Sequence, residues 1–312
     1  MFAKLTPYIE IARPDHWFKN VFMLPGVVLA LIFSPQLMDP FPWRGLILAV
    51  VSACLVASSN YVLNEILDSE KDRHHPQKHL RPIPSGKVSI PVAYAEWLLL
   101  GAVGIGVGFA INWRFGLISV LLWVAGAIYN IPPIRLKDHA YADVLSESVN
   151  NPIRLAMGWY ATGITELPPT SMLLAFWMFG GFLMAMKRYA EYRHIDDSAR
   201  AARYRDSFGY YNEERLIESI VFYGTFFGIL SGFFAARYHV ELILATPIVA
   251  FAMAYYMHLG FLPESPVQHP EGLYRSRKLV FLILLALVAV VILMIVDIPA
   301  FEALIKATPL SR

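Results

Sequence analysis

Residues 60–72 close an apolar run with a stripe of oxygen-bearing side chains: Asn60, Asn64, Glu65, Asp68 and Asp72. On a helix, positions 64, 65, 68 and 72 share an arc of roughly 100°, and the i, i+4, i+8 steps stack Asn64, Asp68 and Asp72 about 6 Å apart. A one-sided ladder of hard oxygen ligands suits Mg2+, which keeps several waters and bridges to substrate phosphates. The alternative is a solvated acidic helix end. Asn60 and Asn64 argue against it, because they carry the stripe back into apolar sequence, where polar groups are costly. The next segment supplies bases, Lys78 and Arg81. Acids that hold metal beside bases that take the remaining charge form a working pair for phosphate-bearing substrates. Topology alone would also put basic residues on a cytoplasmic loop. His74, His75 and His79 lack the fourth ligand and the spacing of a zinc site.

Three further groups qualify. Asp143, Glu147, Asn150, Asn151 and Arg154 fall on one helical face, and Pro152 among them is expected to kink the helix. With Asn60, residues Asn150 and Arg154 are read as the wall of a polar substrate pocket; the alternative is a buried Glu147–Arg154 ion pair. Lys187-Arg188-Tyr189-Ala190-Glu191, followed by Asp196-Asp197, offers Lys187, Arg188, Tyr189 and Glu191 as substrate ligands. An ordinary exposed i, i+4 pair is the alternative there. Lys19 and Asn20, just after Trp17, are either substrate ligands or an interfacial anchor.

The elements that must position these residues are membrane helices. Of 312 residues 57% are hydrophobic and only 16% charged, and the mean hydropathy is +0.49. This argues against a soluble enzyme, a disordered tail, a disulfide scaffold and a coiled coil. The single cysteine, Cys54, excludes an intrachain disulfide and reads as a small core residue. Apolar runs long enough to cross a bilayer lie near 20–36, 44–66, 91–112, 114–131, 141–163, 170–189, 214–234, 240–260 and 278–298. No small-residue cleavage site follows the first run, so it is read as a retained span. Nine spans put 20 of the 26 Lys and Arg on the side of the N-terminus; Arg44, Arg114, Arg237, Lys306 and Arg312 lie on the other, and Arg154 falls inside a span. The positive-inside rule makes the first side cytoplasmic. The expected architecture is an all-α integral membrane protein, one transmembrane domain over 1–312. In it, about nine helices surround a central polar cavity open to the cytoplasm. Residues 1–19 form an interfacial segment, and 67–88 and 187–213 form the cytoplasmic catalytic loops.

Residues 64–72 resemble the first Asp-rich motif, N-D-x-x-D-x-x-x-D, of the UbiA superfamily of membrane prenyltransferases, with Glu65 in place of the first Asp. Residues 13–20, Arg-Pro-Asp-His-Trp-Phe-Lys-Asn, are similar to the R-P-x-x-W-x-K-N opening of one branch, the decaprenyl-phosphate phosphoribosyltransferases. The His75-Pro76-Gln77-Lys78 and Arg81-Pro82-Ile83 run and Lys187-Arg188-Tyr189-Ala190-Glu191 are similar to two more of its motifs. The second Asp-rich motif of the aromatic prenyltransferases has no match at 187–197. The resemblance implies a bundle of eight or nine spans with cytoplasmic motifs in the 2–3 and 6–7 regions. It implies Mg2+-dependent transfer of 5-phosphoribose from phosphoribosyl diphosphate to a polyprenyl phosphate in the inner (cytoplasmic) membrane. Asn64, Glu65, Asp68 and Asp72 would be the metal ligands, and Asp68, Asp72, Lys78 and Arg81 the catalytic set. Prenyl transfer from a polyprenyl diphosphate to an aromatic or polar acceptor is the rival. A transporter of a phosphorylated solute is a third class, disfavoured by one-sided charge and the lack of an inverted repeat. No nucleic-acid partner is expected, and a homo-oligomer is compatible with the sequence.

Overall fold

Long apolar runs leave the backbone one way to satisfy its polar groups in lipid, by hydrogen bonding within each segment as helix. The computed structural model describes residues 2–73, 78–195, 200–201, 204–268 and 270–305, and these are predominantly helical with no strand among them. The chain divides into two compact units, Met1–Pro168 with Ser198–Tyr211, and Pro169–Asp197 with Asn212–Arg312. Seven helical segments are long and apolar enough to cross a membrane.

In the first unit, helix α1 (Phe2–Ile11) leads into a 3-10 segment (Pro14–Met23) and α2 (Leu24–Phe33). Helix α3 (Trp43–Asp72) is the longest; α4 (Ile90–Ile111) and α5 (Trp113–Asn130) follow. Asn112 caps α5, its Oδ1 accepting from Phe115 N at 2.8 Å. Helices α3 and α4 are joined by small-residue contact and hydroxyl bonds, as membrane interfaces require. Ser52 Oγ donates to Gly104 O at 2.7 Å and Ser59 Oγ to Trp97 O at 2.7 Å. Ile11 packs into a core with Val62, Ile66, Ile83, Val88 and Ala93, which holds α1 against α3 and the 2–3 loop.

The run at 141–163 is two helices, α6 (Ala142–Ser148) and α7 (Asn150–Ala161). Pro152 has no N–H for Ser148 O, and its ring crowds that carbonyl, so the break falls where a proline puts it. Glycines let α7 approach closely: a Cβ on Gly158 would collide with Met23 O, and one on Gly26 with Leu155 O.

The second unit holds α8 (Thr170–Ile195) and α9 (Glu213–Tyr238), with Gly181 against the Tyr223 ring. Asn212 caps α9 through Arg215 N at 2.8 Å, and Glu213 and Glu214 complement its dipole. Helices α10 (Thr246–Gly260), α11 (Arg277–Leu293) and α12 (Pro299–Ile305) complete it. The seven membrane-capable segments include neither α6–α7 nor the 17-residue α11.

Candidate active site

Asp68 lies near the end of α3 and is the hub of the first unit's polar cluster. Its Oδ1 accepts from Lys137 Nζ at 2.6 Å and from Arg135 Nη2 at 2.7 Å. Both bases come from the loop after α5. Arg135 sits in the left-handed region (φ 31), and this reverses the chain so that positions 135 and 137 both reach Asp68. Arg135 Nε also donates to Asp138 Oδ2 at 2.7 Å. Asn130 Oδ1 receives Lys137 Nζ at 2.9 Å and Asn64 Nδ2 at 2.6 Å, tying α5 to the ladder on α3.

One turn further along, Asp72 Oδ2 accepts from Arg81 Nη1 at 2.6 Å. Lys78 lies 5.1 Å over the Tyr204 ring. Burial draws the Lys78 ammonium below the usual lysine range, against the pull of Asp72. Lys137 is only 7% exposed, and burial brings it down to about 8, with Asp68 opposing. Burial also works against the charge on Arg135, but Asp68 and Asp138 more than offset it.

Two residues of the sequence-derived set face elsewhere. Glu65 is 2% exposed and its Oε1 accepts from Ile83 N at 3.1 Å. It thus braces the 2–3 loop, which needs a partner for that buried N–H. Asn60 donates to Leu122 O at 2.9 Å and packs against Gly126 of α5. The Glu147–Arg154 pair is not formed. Glu147 Oε2 accepts from Tyr129 Oη at 3.2 Å, and Arg154 Nε donates to Asn20 Oδ1 at 3.0 Å. Asn150 donates to Glu147 O at 3.0 Å. Lys19 stands 5.8 Å from the Tyr61 ring centre.

Asp143, with 0% exposure, anchors a different segment. It accepts from Arg205 Nη1 at 3.2 Å, Ser207 Oγ at 3.2 Å and Tyr211 Oη at 2.9 Å, pinning residues 204–211 onto the first unit. An open cavity of about 370 Å³ lies there, between Asp138–Tyr141 and Asp206, Ser207 and Tyr210.

In the second unit the basic motif is an internal ladder on α8. Glu191 takes Arg188 at 3.1 Å and Lys187 at 3.8 Å. Arg188 is 1% exposed. Tyr189 Oη donates to Glu213 Oε2 at 3.4 Å and accepts from Arg193 at 3.3 Å. His74–Gln77 and Asp196-Asp197 lie outside the described residues.

The oxygens on α3 fit Mg2+ in part. Asp68 Oδ2, Asp72 Oδ1 and Asn64 Oδ1 accept no hydrogen bond among the described residues, and none is sealed from solvent. They are hard donors, few in number, so substrate phosphate and water would complete the shell. They do not form a closed protein cage. Among the described residues, the one His/Cys/Asp/Glu trio with ligand atoms within 4.8 Å of one another is His239, Glu241 and Asp297.

Sequence reasoning did not single out Asn130, Arg135 and Lys137. The available signal was a short loop, Ile-Pro-Pro-Ile-Arg-Leu-Lys-Asp at 131–138, whose only bases are Arg135 and Lys137. Two bases in a short loop between apolar runs also fit positive-inside topology.

Comparisons with known proteins agree with this architecture. The chain is 29% identical over 196 residues to decaprenyl-phosphate phosphoribosyltransferase of Mycobacterium tuberculosis, covering 62% of this chain and 63% of that one. It is 32% identical over 188 residues to the protein of the same name from Corynebacterium glutamicum, covering 59% and 54%. The chain therefore spans less than two thirds of the length of these relatives. A UbiA homologue from Archaeoglobus fulgidus bound to GPP and Mg2+ superposes with a TM-score of 0.66 at 17% identity, over 91% of this chain and 99% of that one. The model of the UbiA prenyltransferase family matches residues 22–270, so the chain, a multi-pass membrane protein, belongs to that family.

Proposed function

We propose that the protein transfers 5-phosphoribose from phosphoribosyl diphosphate to a polyprenyl phosphate, releasing pyrophosphate, at the cytoplasmic face of the inner membrane. The observation that carries this reading is Asp68 held by Arg135 and Lys137, with Asp72 held by Arg81 one turn away. Carboxylates and bases set face to face match a metal-bound diphosphate, whose oxygens would take over the bases while the acids turn to the metal.

Asn64, Asp68 and Asp72 are the residues that would hold Mg2+, which when bound neutralises diphosphate charge. Lys137, Arg135, Arg81 and Lys78 donate to the diphosphate oxygens and stabilise the charge that grows as the C1–O bond breaks. A lipid phosphate oxygen forms the new bond to C1, and the electron pair of the broken bond leaves on pyrophosphate. The nucleophile is already an anion, so no general base is required. Glu65 keeps Arg81 in reach by fixing the loop at Ile83. Lys19, Asn20 and Asn150 are assigned to substrate binding or its support. The relatives named as phosphoribosyltransferases support the donor assignment.

The test supplies purified protein with Mg2+, polyprenyl phosphate and labelled phosphoribosyl diphosphate, beside a reaction offering prenyl diphosphate with aromatic acceptors. Label is expected in lipid in the first reaction. Product only in the second overturns the donor assignment in favour of prenyl transfer.

A further inference from the structure

Arg154 is a guanidinium inside the first unit, 6% exposed. Its partners are neutral: Asn20 Oδ1 at 3.0 Å on Nε and Asn150 O at 3.5 Å on Nη1. Of the five N–H groups on a guanidinium, three have no acceptor among the described residues, and no carboxylate lies within ion-pair reach. A guanidinium stays charged at any accessible pH, and burying a charge without a counter-charge is strongly unfavourable. The free edge is also not sealed. The partnerless side-chain atoms cut off from solvent are Asn60 Oδ1 and Trp97 Nε1, not the nitrogens of Arg154.

The surroundings repeat the pattern. Tyr61 and Cys54 are the titratable groups that face Arg154. The Tyr61 hydroxyl has no hydrogen-bond partner among the described residues, and its ring carries Arg13 at 6.0 Å and Lys19 at 5.8 Å. Of the negative groups nearby, Glu65 and Asp15 face Arg13, while Asp15 and Glu147 face Tyr61; none of them is ion-paired with Arg154 among the described residues. Asn20 is oriented for its role, since its Nδ2 donates to Cys54 Sγ at 3.2 Å and leaves Oδ1 for Arg154. Tyr61 and Asp68 are seven residues apart on α3, which places them within roughly 20° of arc and about 10 Å apart along the axis.

We infer that Arg154, positioned by Asn20 and assisted by the Tyr61 hydroxyl, is a phosphate-monoester subsite set about one nanometre deeper in the bundle than Asp68. This rests on the proposed transfer, whose two substrates each carry a phosphate monoester: the 5-phosphate of the donor and the headgroup of the lipid acceptor. The subsite takes one of them, and the guanidinium's missing counter-charge arrives with the substrate.

The experiment measures equilibrium binding of labelled ribose 5-phosphate, labelled farnesyl phosphate and labelled pyrophosphate with Mg2+ to the purified full chain in detergent. The variants are Arg154→Gln and Asn20→Asp. The second is nearly isosteric and gives Arg154 a carboxylate in place, so it is expected to melt no lower than wild type and to remain informative if Arg154→Gln does not fold. Both variants are expected to weaken one of the two monoesters by about 30-fold or more and to leave pyrophosphate within about twofold. The ligand that is lost tells donor phosphate from lipid phosphate. Wild-type protein that binds neither monoester, or Asn20→Asp that binds both unchanged, overturns the subsite. If phosphoribose never reaches lipid while the selective loss holds, the proposed reaction fails and the subsite stands.

Discussion

The Asp68 cluster and the α8 ladder are both built from acids and bases, but they are assembled differently. Asp68 draws its partners, Arg135 and Lys137, from almost seventy residues further along the chain. Glu191 draws Arg188 and Lys187 from its own helix, at i−3 and i−4. The second arrangement forms wherever the helix forms. The first needs α3, α5 and the reversed loop at Arg135 all in place. A cluster that only the fold can assemble is the better candidate for chemistry, because its bases are positioned and partly dehydrated before any substrate arrives.

That contrast can be broken by mutation. Asp68→Ala should have the largest effect, lowering phosphoribose transfer by about 1000-fold or more; label transfer to lipid within tenfold of wild type would remove Asp68 from the site. Lys137→Ala should cost about 100-fold in the same assay, with Lys137→Arg recovering part of it, since the charge is kept. Asp143→Asn should act on the fold. Losing the carboxylate that gathers Arg205, Ser207 and Tyr211 should cost about 1–3 kcal/mol and speed hydrogen exchange over residues 204–211. Glu191→Gln should cost stability on a similar or smaller scale, about 1–2 kcal/mol, read as a lower melting temperature. A loss of transfer as large as that of Asp68→Ala would show that the ladder too is catalytic. Lys71→Ala should do least. Its pair with Asp206 is exposed on both sides, so less than about 0.5 kcal/mol is at stake, and transfer should stay within twofold.

The helical bundle is largely legible in the sequence. Apolar runs of bilayer length mark the helices because the length of a span and its lack of charge are local properties. The break in the fifth run was legible too, since Pro152 removes a hydrogen bond wherever it stands. The α3 ladder could be drawn from residue spacing, and Asp68 and Asp72 do project from one side of its last turns. Glu65 shares that arc on paper, yet it turns to Ile83, because a buried loop N–H required an acceptor and Glu65 was within reach. Asn60 turns to Leu122 for a comparable reason, filling the space left by Gly126.

Periodicity determines which face of a helix a residue occupies. It does not determine what stands across from that face. The sequence by itself therefore determined the membrane character and the helical form of the long apolar runs, and helical spacing put Asn64, Asp68 and Asp72 on one face of α3. Only the tertiary structure decided that Asp68 meets Arg135 and Lys137, and that Arg154 meets Asn20 rather than Glu147. Pairing across helices depends on loop conformation, and here a left-handed residue at 135 and the helix break at Val149, one turn ahead of Pro152, choose the partners. Nothing in the spacing of charges along the chain carries that information.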